Sequence, residues 1–110
     1  MKKASLFTAL LSAGLLAASQ TSAWSQAAPE RSIIKVAGEV YRFQNNQHHG
    51  VFQVTPAGIT VIDPISTETA TWLKGELAAR FPNVPVRQVL YSHHHYDHAA
   101  GAGVFADAPV

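Results

Sequence analysis

The stretch VRQVLYSHHHYDHAAG, at residues 86–101, decides the fold and locates the chemistry. Its first part, Val86 to Tyr91, is rich in β-favouring residues and predicts a strand. Its second part holds four of the six histidines in the chain. Loops at the carboxyl ends of strands are where open α/β sheets bind their ligands. A strand that runs directly into a histidine cluster therefore predicts a functional loop at the edge of a sheet.

The order of residues in this loop is typical of a metal site. In an extended backbone His93, His95 and Asp97 share one face, and His98 follows where the chain turns towards a helix. Imidazole nitrogens and carboxylate oxygens are ligands for Zn²⁺ or Fe²⁺. Because the chain has no cysteine, any metal site must be built from these two groups. A purification tag or a solvated polar loop is the alternative, but tags sit at termini and a polar loop does not explain this order.

A strand and a helix precede the loop. Residues 58–63 are mostly apolar and end at Asp63, before a proline. Ser66 is a good N-cap, and the apolar residues that follow it recur every three or four positions, at Ala70, Leu73, Leu77 and Phe81. Pro82 ends this pattern. The sequence thus predicts a strand–helix–strand unit with a parallel strand pair and the helix on one sheet face.

The segment from Ser32 to Val54 predicts two or three short strands in a meander. Polar residues from Asn45 to Gly50 form the predicted break between strands, and this break contains His48 and His49. Residues 24–31 are small and polar and predict a flexible lead-in.

The first 23 residues predict a secretory signal peptide. Lys2 and Lys3 precede an uncharged run from Ala4 to Ala18, and small residues follow at positions 21–23. A retained membrane anchor is the alternative, but the run is shorter than the roughly 20 apolar residues that a spanning helix needs. Cleavage is expected after position 23, with residues 27–28 as a second candidate. The mature protein is then expected in the periplasm or outside the cell.

The charge of the mature chain excludes two classes of partner. The formal net charge of the whole chain is +1, and removal of Lys2 and Lys3 with the leader makes it −1. No basic patch remains for nucleic acid or for an anionic membrane surface. We therefore expect a small-molecule substrate, no nucleic acid, and no membrane contact after cleavage.

The loop also carries a family resemblance. His93-His94-His95-Tyr96-Asp97-His98 matches H-x-H-x-D-H and resembles the signature of the metallo-β-lactamase superfamily. The strand that ends at Asp63 is similar to the apolar strand of that family, although Ala99-Ala100-Gly101 stands where members often have paired glycines. The resemblance covers residues 32–110 and implies an α/β fold, the N-terminal half of an αββα sandwich.

The resemblance also implies roles for individual residues. His93 and His95 would bind a first metal, and Asp97 and His98 a second, with one or two Zn²⁺ ions favoured over iron. Asp63 would support the metal loop through hydrogen bonds, although an aspartate before a proline is also ordinary turn chemistry. His48 and His49 would lie in a hairpin loop that overhangs the substrate, or else in an exposed polar turn.

The reaction implied is hydrolysis, in which metal-bound hydroxide attacks a carbonyl or ester-like bond of a β-lactam, a lactone or another small ester. Asp97 would orient the attacking water or accept its proton. Family members carry further ligands well downstream of the motif, so we expect residues 32–110 to be an incomplete and inactive part of such a domain. Two alternatives stay open: an inactive metal-binding remnant or short non-catalytic protein, and an iron-dependent oxidoreductase of the same superfamily.

Overall fold

The computed structural model describes residues 25–108, so the predicted signal peptide and its cleavage site after position 23 lie outside the described residues. The described part contains five strands and two α-helices. The strands are β1 (Arg31–Ala37), β2 (Val40–Asn45), β3 (His48–Thr55), β4 (Gly58–Ile62) and β5 (Val86–Leu90). The helices are α1 (Thr67–Arg80) and α2 (Tyr96–Ala99), and a short 3₁₀ helix follows at Ala102–Phe105.

The strands form one sheet in the order β1-β2-β3-β4-β5. The first three pairs are antiparallel, whereas β4 and β5 are parallel and are joined through α1. This confirms the predicted meander, the strand–helix–strand unit and the α/β fold class. Within residues 25–108, no helix has both the length and the apolar character needed to cross a membrane.

The β2–β3 hairpin is tighter than the sequence predicts. Asn45 pairs with His48, so only Asn46 and Gln47 form the loop. Asn46 adopts a left-handed φ of 53°, which asparagine tolerates better than most residues. It is also held by Glu30, whose backbone oxygen accepts from the Asn46 amide at 2.7 Å. The predicted break from Asn45 to Gly50 is therefore wrong, because strand pairing continues through His48 and His49.

Helix α1 begins as predicted, with Ser66 as its N-cap. The Ser66 hydroxyl accepts a hydrogen bond from the Thr69 amide at 3.1 Å, and the amide of Phe81 closes the last turn on the Leu77 carbonyl at 2.9 Å. One face of the helix packs on the sheet. The core between helix and sheet is formed by side chains that are almost completely buried: Phe43, Phe52, Ile59, Val61, Leu73 and Val89.

The exits of β4 and β5 run side by side, and this arrangement positions the histidine loop. The amide of Asp63 donates to the Leu90 carbonyl at 3.0 Å. Two residues later, the amide of Ile65 donates to the His98 carbonyl at 2.8 Å. The segment after β4 is thus hydrogen-bonded to residues at both ends of the loop. This pairing places Asp63 next to the loop.

Candidate metal centre

The histidine loop changes conformation halfway along. Residues 91–95 have no regular secondary structure, and α2 begins at Tyr96. The amide of His98 donates to the His95 carbonyl at 3.0 Å, which closes the first helical turn. The prediction that His93, His95 and Asp97 alternate along one extended strand is therefore wrong, because Asp97 lies in the first turn of α2.

Despite this turn, the loop gathers its imidazoles. The ring centroid of His93 lies 4.6 Å from that of His95 and 4.6 Å from that of His98. The ring of His94 lies 5.2 Å from the ring of His95. The structure therefore brings together the three histidines that the sequence assigned to metal binding.

The carboxylate of Asp97 lies between two imidazoles. Its Oδ2 atom is 3.7 Å from Nε2 of His98 and 3.4 Å from Nε2 of His48. The rings of His48 and His98 are 5.8 Å apart. His49 follows His48 in β3, where it pairs with Gln44 and is exposed. Successive strand residues point to opposite faces, so the structure brings His48 to the loop but not His49.

Asp63 is the buried polar group of the site, with 8% of its surface exposed. Its Oδ1 atom accepts a hydrogen bond from the backbone amide of Ser92 at 2.8 Å, and its Oδ2 atom accepts one from the Ser92 hydroxyl at 2.5 Å. Asp63 itself has a left-handed φ of 56° at the exit of β4. Two bonds from one carboxylate fix the position of the residue immediately before the first histidine.

Ser92 also contacts His93. The Ser92 hydroxyl lies 2.7 Å from Nδ1 of His93. A hydroxyl has a single proton, and here that proton is donated to the Asp63 carboxylate. The Nδ1 atom of His93 must then donate to Ser92, which leaves the Nε2 lone pair of His93 free to bind a metal.

Sequence reasoning did not single out Ser92. The available signal was its position: a hydroxyl residue stands directly before the first histidine of the motif, and the motif was already expected to be hydrogen-bonded by Asp63. Which residue of the loop forms hydrogen bonds with the Asp63 carboxylate depends on how the ends of β4 and β5 are aligned.

His98 carries a buried nitrogen without a partner. Its Nδ1 atom has no hydrogen-bond partner among residues 25–108, and Oδ2 of Asp63 lies 4.0 Å from it. A buried polar atom that makes no hydrogen bond is destabilising, so its retention needs an explanation. Binding of a metal ion by the His98 imidazole would supply this explanation.

The donor atoms of the histidine loop lie close together, but they do not form a metal-binding group. Within the part of the chain that the structure describes, no three histidine or carboxylate side chains meet as a complete metal-binding group. The metal-binding roles of His93, His95, Asp97 and His98 therefore stay a prediction. Several of these donors contact one another instead, with the Asp97 carboxylate between two imidazoles and His93 bonded to Ser92. The donor chemistry, imidazole nitrogen with carboxylate oxygen, nevertheless fits Zn²⁺.

Comparison with solved structures supports the fold. The FEZ-1 metallo-beta-lactamase from Legionella gormanii is similar, with a TM-score of 0.61 and 23% identity over 74% of this chain. A mutant of the same enzyme gives a TM-score of 0.60 and 24% identity over 77% of the chain. In both cases the match spans 32% of the solved chain. No curated protein matches the chain.

The family comparison covers β3, the βαβ unit and the histidine loop. The model of the metallo-beta-lactamase superfamily matches residues 46–110, which is more than half of the chain. It includes Asp63 at the exit of β4 and the complete H-x-H-x-D-H loop. With the sheet order, the position of the loop and this match in agreement, the chain belongs to the metallo-beta-lactamase superfamily.

Proposed function

We propose that the protein is an exported, metal-dependent hydrolase that cleaves a carbonyl or ester-like bond in a small molecule. The observation that carries this proposal is the loop from Ser92 to His98, where three imidazoles and a carboxylate gather at the carboxyl ends of β4 and β5. Membership of the superfamily supports it. The chain spans 32% of the length of the solved chains that it matches.

We assign metal binding to four residues, His93, His95, Asp97 and His98, with Zn²⁺ as the metal in one or two ions. The imidazole and carboxylate donors suit Zn²⁺, and the unpartnered Nδ1 atom of His98 supports a bound cation nearby. When bound, zinc lowers the pKa of a water ligand to about 7 and polarises a carbonyl oxygen.

Asp63 and Asp97 have different parts in this proposal. Asp63 is buried and, through Ser92, holds the loop and selects the tautomer of His93. The side chain of Asp97 is 59% exposed, so solvent and substrate can reach it. Its carboxylate can orient a water molecule and accept the proton that the water loses. No serine or cysteine nucleophile is then required.

The substrate class follows from the reaction class. A β-lactam, a lactone or another small ester each presents a polarised carbonyl to a water nucleophile. The similar Legionella gormanii protein is named a metallo-beta-lactamase, which makes a β-lactam the first compound to test. Export is proposed from the charge and hydropathy pattern of residues 1–23, and the N-terminal sequence of the secreted or periplasmic protein would test it.

One alternative is favoured by a specific observation. Because no three donors converge among residues 25–108, a chain that binds metal weakly and catalyses nothing fits the same loop. Metal stoichiometry and turnover distinguish this alternative from a hydrolase.

The test begins with protein purified without added metal. Its metal content is measured by mass spectrometry, zinc is titrated by calorimetry, and β-lactam, lactone and ester substrates are screened with and without a chelator. We expect zinc to bind stoichiometrically, and hydrolysis by a protein that carries the whole domain to be lost on chelation. Bound iron, or zinc binding without turnover of any substrate, would count against the hydrolase.

His95→Ala tests the ligand assignment within this experiment. The substitution removes one imidazole from the centre of the cluster, so we expect zinc binding and hydrolysis to be lost together. His94→Ala is the matched control, because it removes the adjacent imidazole at a variable position of the motif and should retain both properties. Stoichiometric zinc in the His95→Ala protein would show that the assignment is wrong.

A further inference from the structure

The β2–β3 hairpin contributes a side chain to the histidine loop. His48 is the first residue of β3, and its Nε2 atom lies 3.4 Å from Oδ2 of Asp97. The two residues are far apart in sequence, so their approach is a product of the fold. The contact occurs where α2 packs against β3.

The alternation of β3 explains why this histidine reaches the loop. His48, Gly50 and Phe52 occupy alternate positions, and both Gly50 and Phe52 are buried on the face that carries the core. At Gly50 the exit of β4 passes closely, since a Cβ atom there would lie 2.5 Å from the carbonyl oxygen of Asp63. The absence of a side chain at Gly50 therefore lets the β4 exit lie against the strand that presents His48.

Among residues 25–108, a second imidazole also lies close to the Asp97 carboxylate. His98 approaches the same Oδ2 atom at 3.7 Å, but His98 is itself assigned to the metal. The side chain of Asp97 is 59% exposed and the side chain of His48 is 42% exposed, so both are free to adjust. A neutral imidazole with its proton on Nε2 can donate to a carboxylate oxygen and so restrict the rotation of that carboxylate.

We propose that His48 is a positioning residue that orients the Asp97 carboxylate by donating from Nε2 to Oδ2. This inference rests on the proposed function, because it concerns the carboxylate assigned there to metal binding and proton transfer. It separates two neighbouring histidines: His48 acts on the site through Asp97, while His49 on the opposite strand face does not.

The first experiment uses the full chain without metal or substrate. The ¹³C chemical shift of the Asp97 carboxyl carbon is measured by NMR in the parent, in His48→Ala and in His49→Ala. We expect the Asp97 signal to move in His48→Ala and to stay at the parent position in His49→Ala. An unmoved signal in His48→Ala would overturn the inference.

The second experiment measures metal affinity with Co²⁺, whose absorption spectrum reports its ligands. We expect His48→Ala to weaken Co²⁺ binding by about 10- to 100-fold, the usual effect of removing a group that orients a ligand. His48→Gln keeps a side-chain N–H donor and should recover much of the affinity with the parent spectrum, whereas His49→Ala should match the parent.

The outcomes separate the two proposals. Parent-like Co²⁺ affinity in His48→Ala, with a change only in KM, would make His48 a substrate contact and overturn the positioning role. A His48→Gln protein as weak as His48→Ala, with an altered Co²⁺ spectrum, would make His48 a ligand and overturn it as well. A parent that binds no Co²⁺ would reject the proposed function, while the NMR comparison would still decide whether His48 positions Asp97.

Discussion

At the scale of single residues, the hydroxyl of Ser92 links the buried carboxylate of the site to its first imidazole. It donates to Asp63 and lies 2.7 Å from Nδ1 of His93. The backbone amide of the same residue gives Asp63 a further bond. One small side chain therefore both satisfies a buried charge and selects the histidine tautomer.

Ser92→Ala should weaken metal binding without removing a ligand. The variant frees Nδ1 of His93, so the ring is no longer held in one tautomer, and we expect zinc affinity to fall by about 10- to 100-fold in calorimetric titration. It also leaves one Asp63 oxygen without its hydroxyl donor, which we expect to lower stability by about 1–3 kcal/mol. Ser92→Thr is the control, because it keeps the hydroxyl. Unchanged zinc affinity in the alanine variant would refute the tautomer argument.

At the scale of elements, the segment between α2 and the 3₁₀ helix approaches the start of α1 closely at Gly101. A Cβ atom at this position would lie 2.5 Å from the Ser66 carbonyl oxygen and 2.7 Å from the Pro64 carbonyl oxygen. These carbonyls belong to the backbone that leads into α1, which cannot move aside easily. Glycine thus lets the end of the histidine loop contact the start of α1, although the family pattern has a second glycine that is absent here.

Gly101→Ala should therefore be destabilising. Overpacking in a tight contact typically costs about 1–3 kcal/mol, and each kcal/mol lowers the Tm of a domain of this size by about 4–8 °C. Thermal unfolding followed by circular dichroism measures the change. Gly103→Ala is the matched control, since a Cβ atom there meets nothing within 4 Å. Equal Tm values for the two variants would contradict the proposed contact.

At the scale of the whole molecule, the two faces of the sheet differ. Helix α1 covers the face that carries Phe43 and Phe52. On the opposite face the strand registers align one row across all five strands: Ile34, Arg42, Val51, Ile62 and Leu90. The ends of this row are open, with Ile34 45% exposed and Leu90 39% exposed. Four of its five side chains are apolar, and exposed apolar surface favours association with other apolar surfaces.

The chain should therefore bind a hydrophobic dye and self-associate. Ile34→Lys with Leu90→Lys should reduce both dye fluorescence and the associated fraction in sedimentation velocity, because charge replaces the exposed apolar side chain at each end of the row. Gln53→Lys, on a strand position outside that row, controls for the added charge. A cooperative thermal transition with no dye binding in the parent chain would contradict this prediction.

The features that the sequence determined by itself are those encoded within a few consecutive residues. The apolar period of α1, the N-cap at Ser66, the β-rich meander and the H-x-H-x-D-H loop were all predictable, because each depends on neighbours along the chain. Their local order was enough to predict a parallel β4–β5 pair, since strand–helix–strand units close in that way. The conformation of the loop was less predictable, because the turn into α2 ended the extended backbone before Asp97.

Only the tertiary structure decided which distant residues join the loop. A shift of one residue in the hairpin register would exchange His48 for His49, because adjacent strand residues point to opposite faces. The contact of Ser92 with Asp63 likewise depends on how the exits of β4 and β5 are aligned. Sequence patterns record the alternation along one strand but not its register against the next, so these contacts were settled by strand pairing.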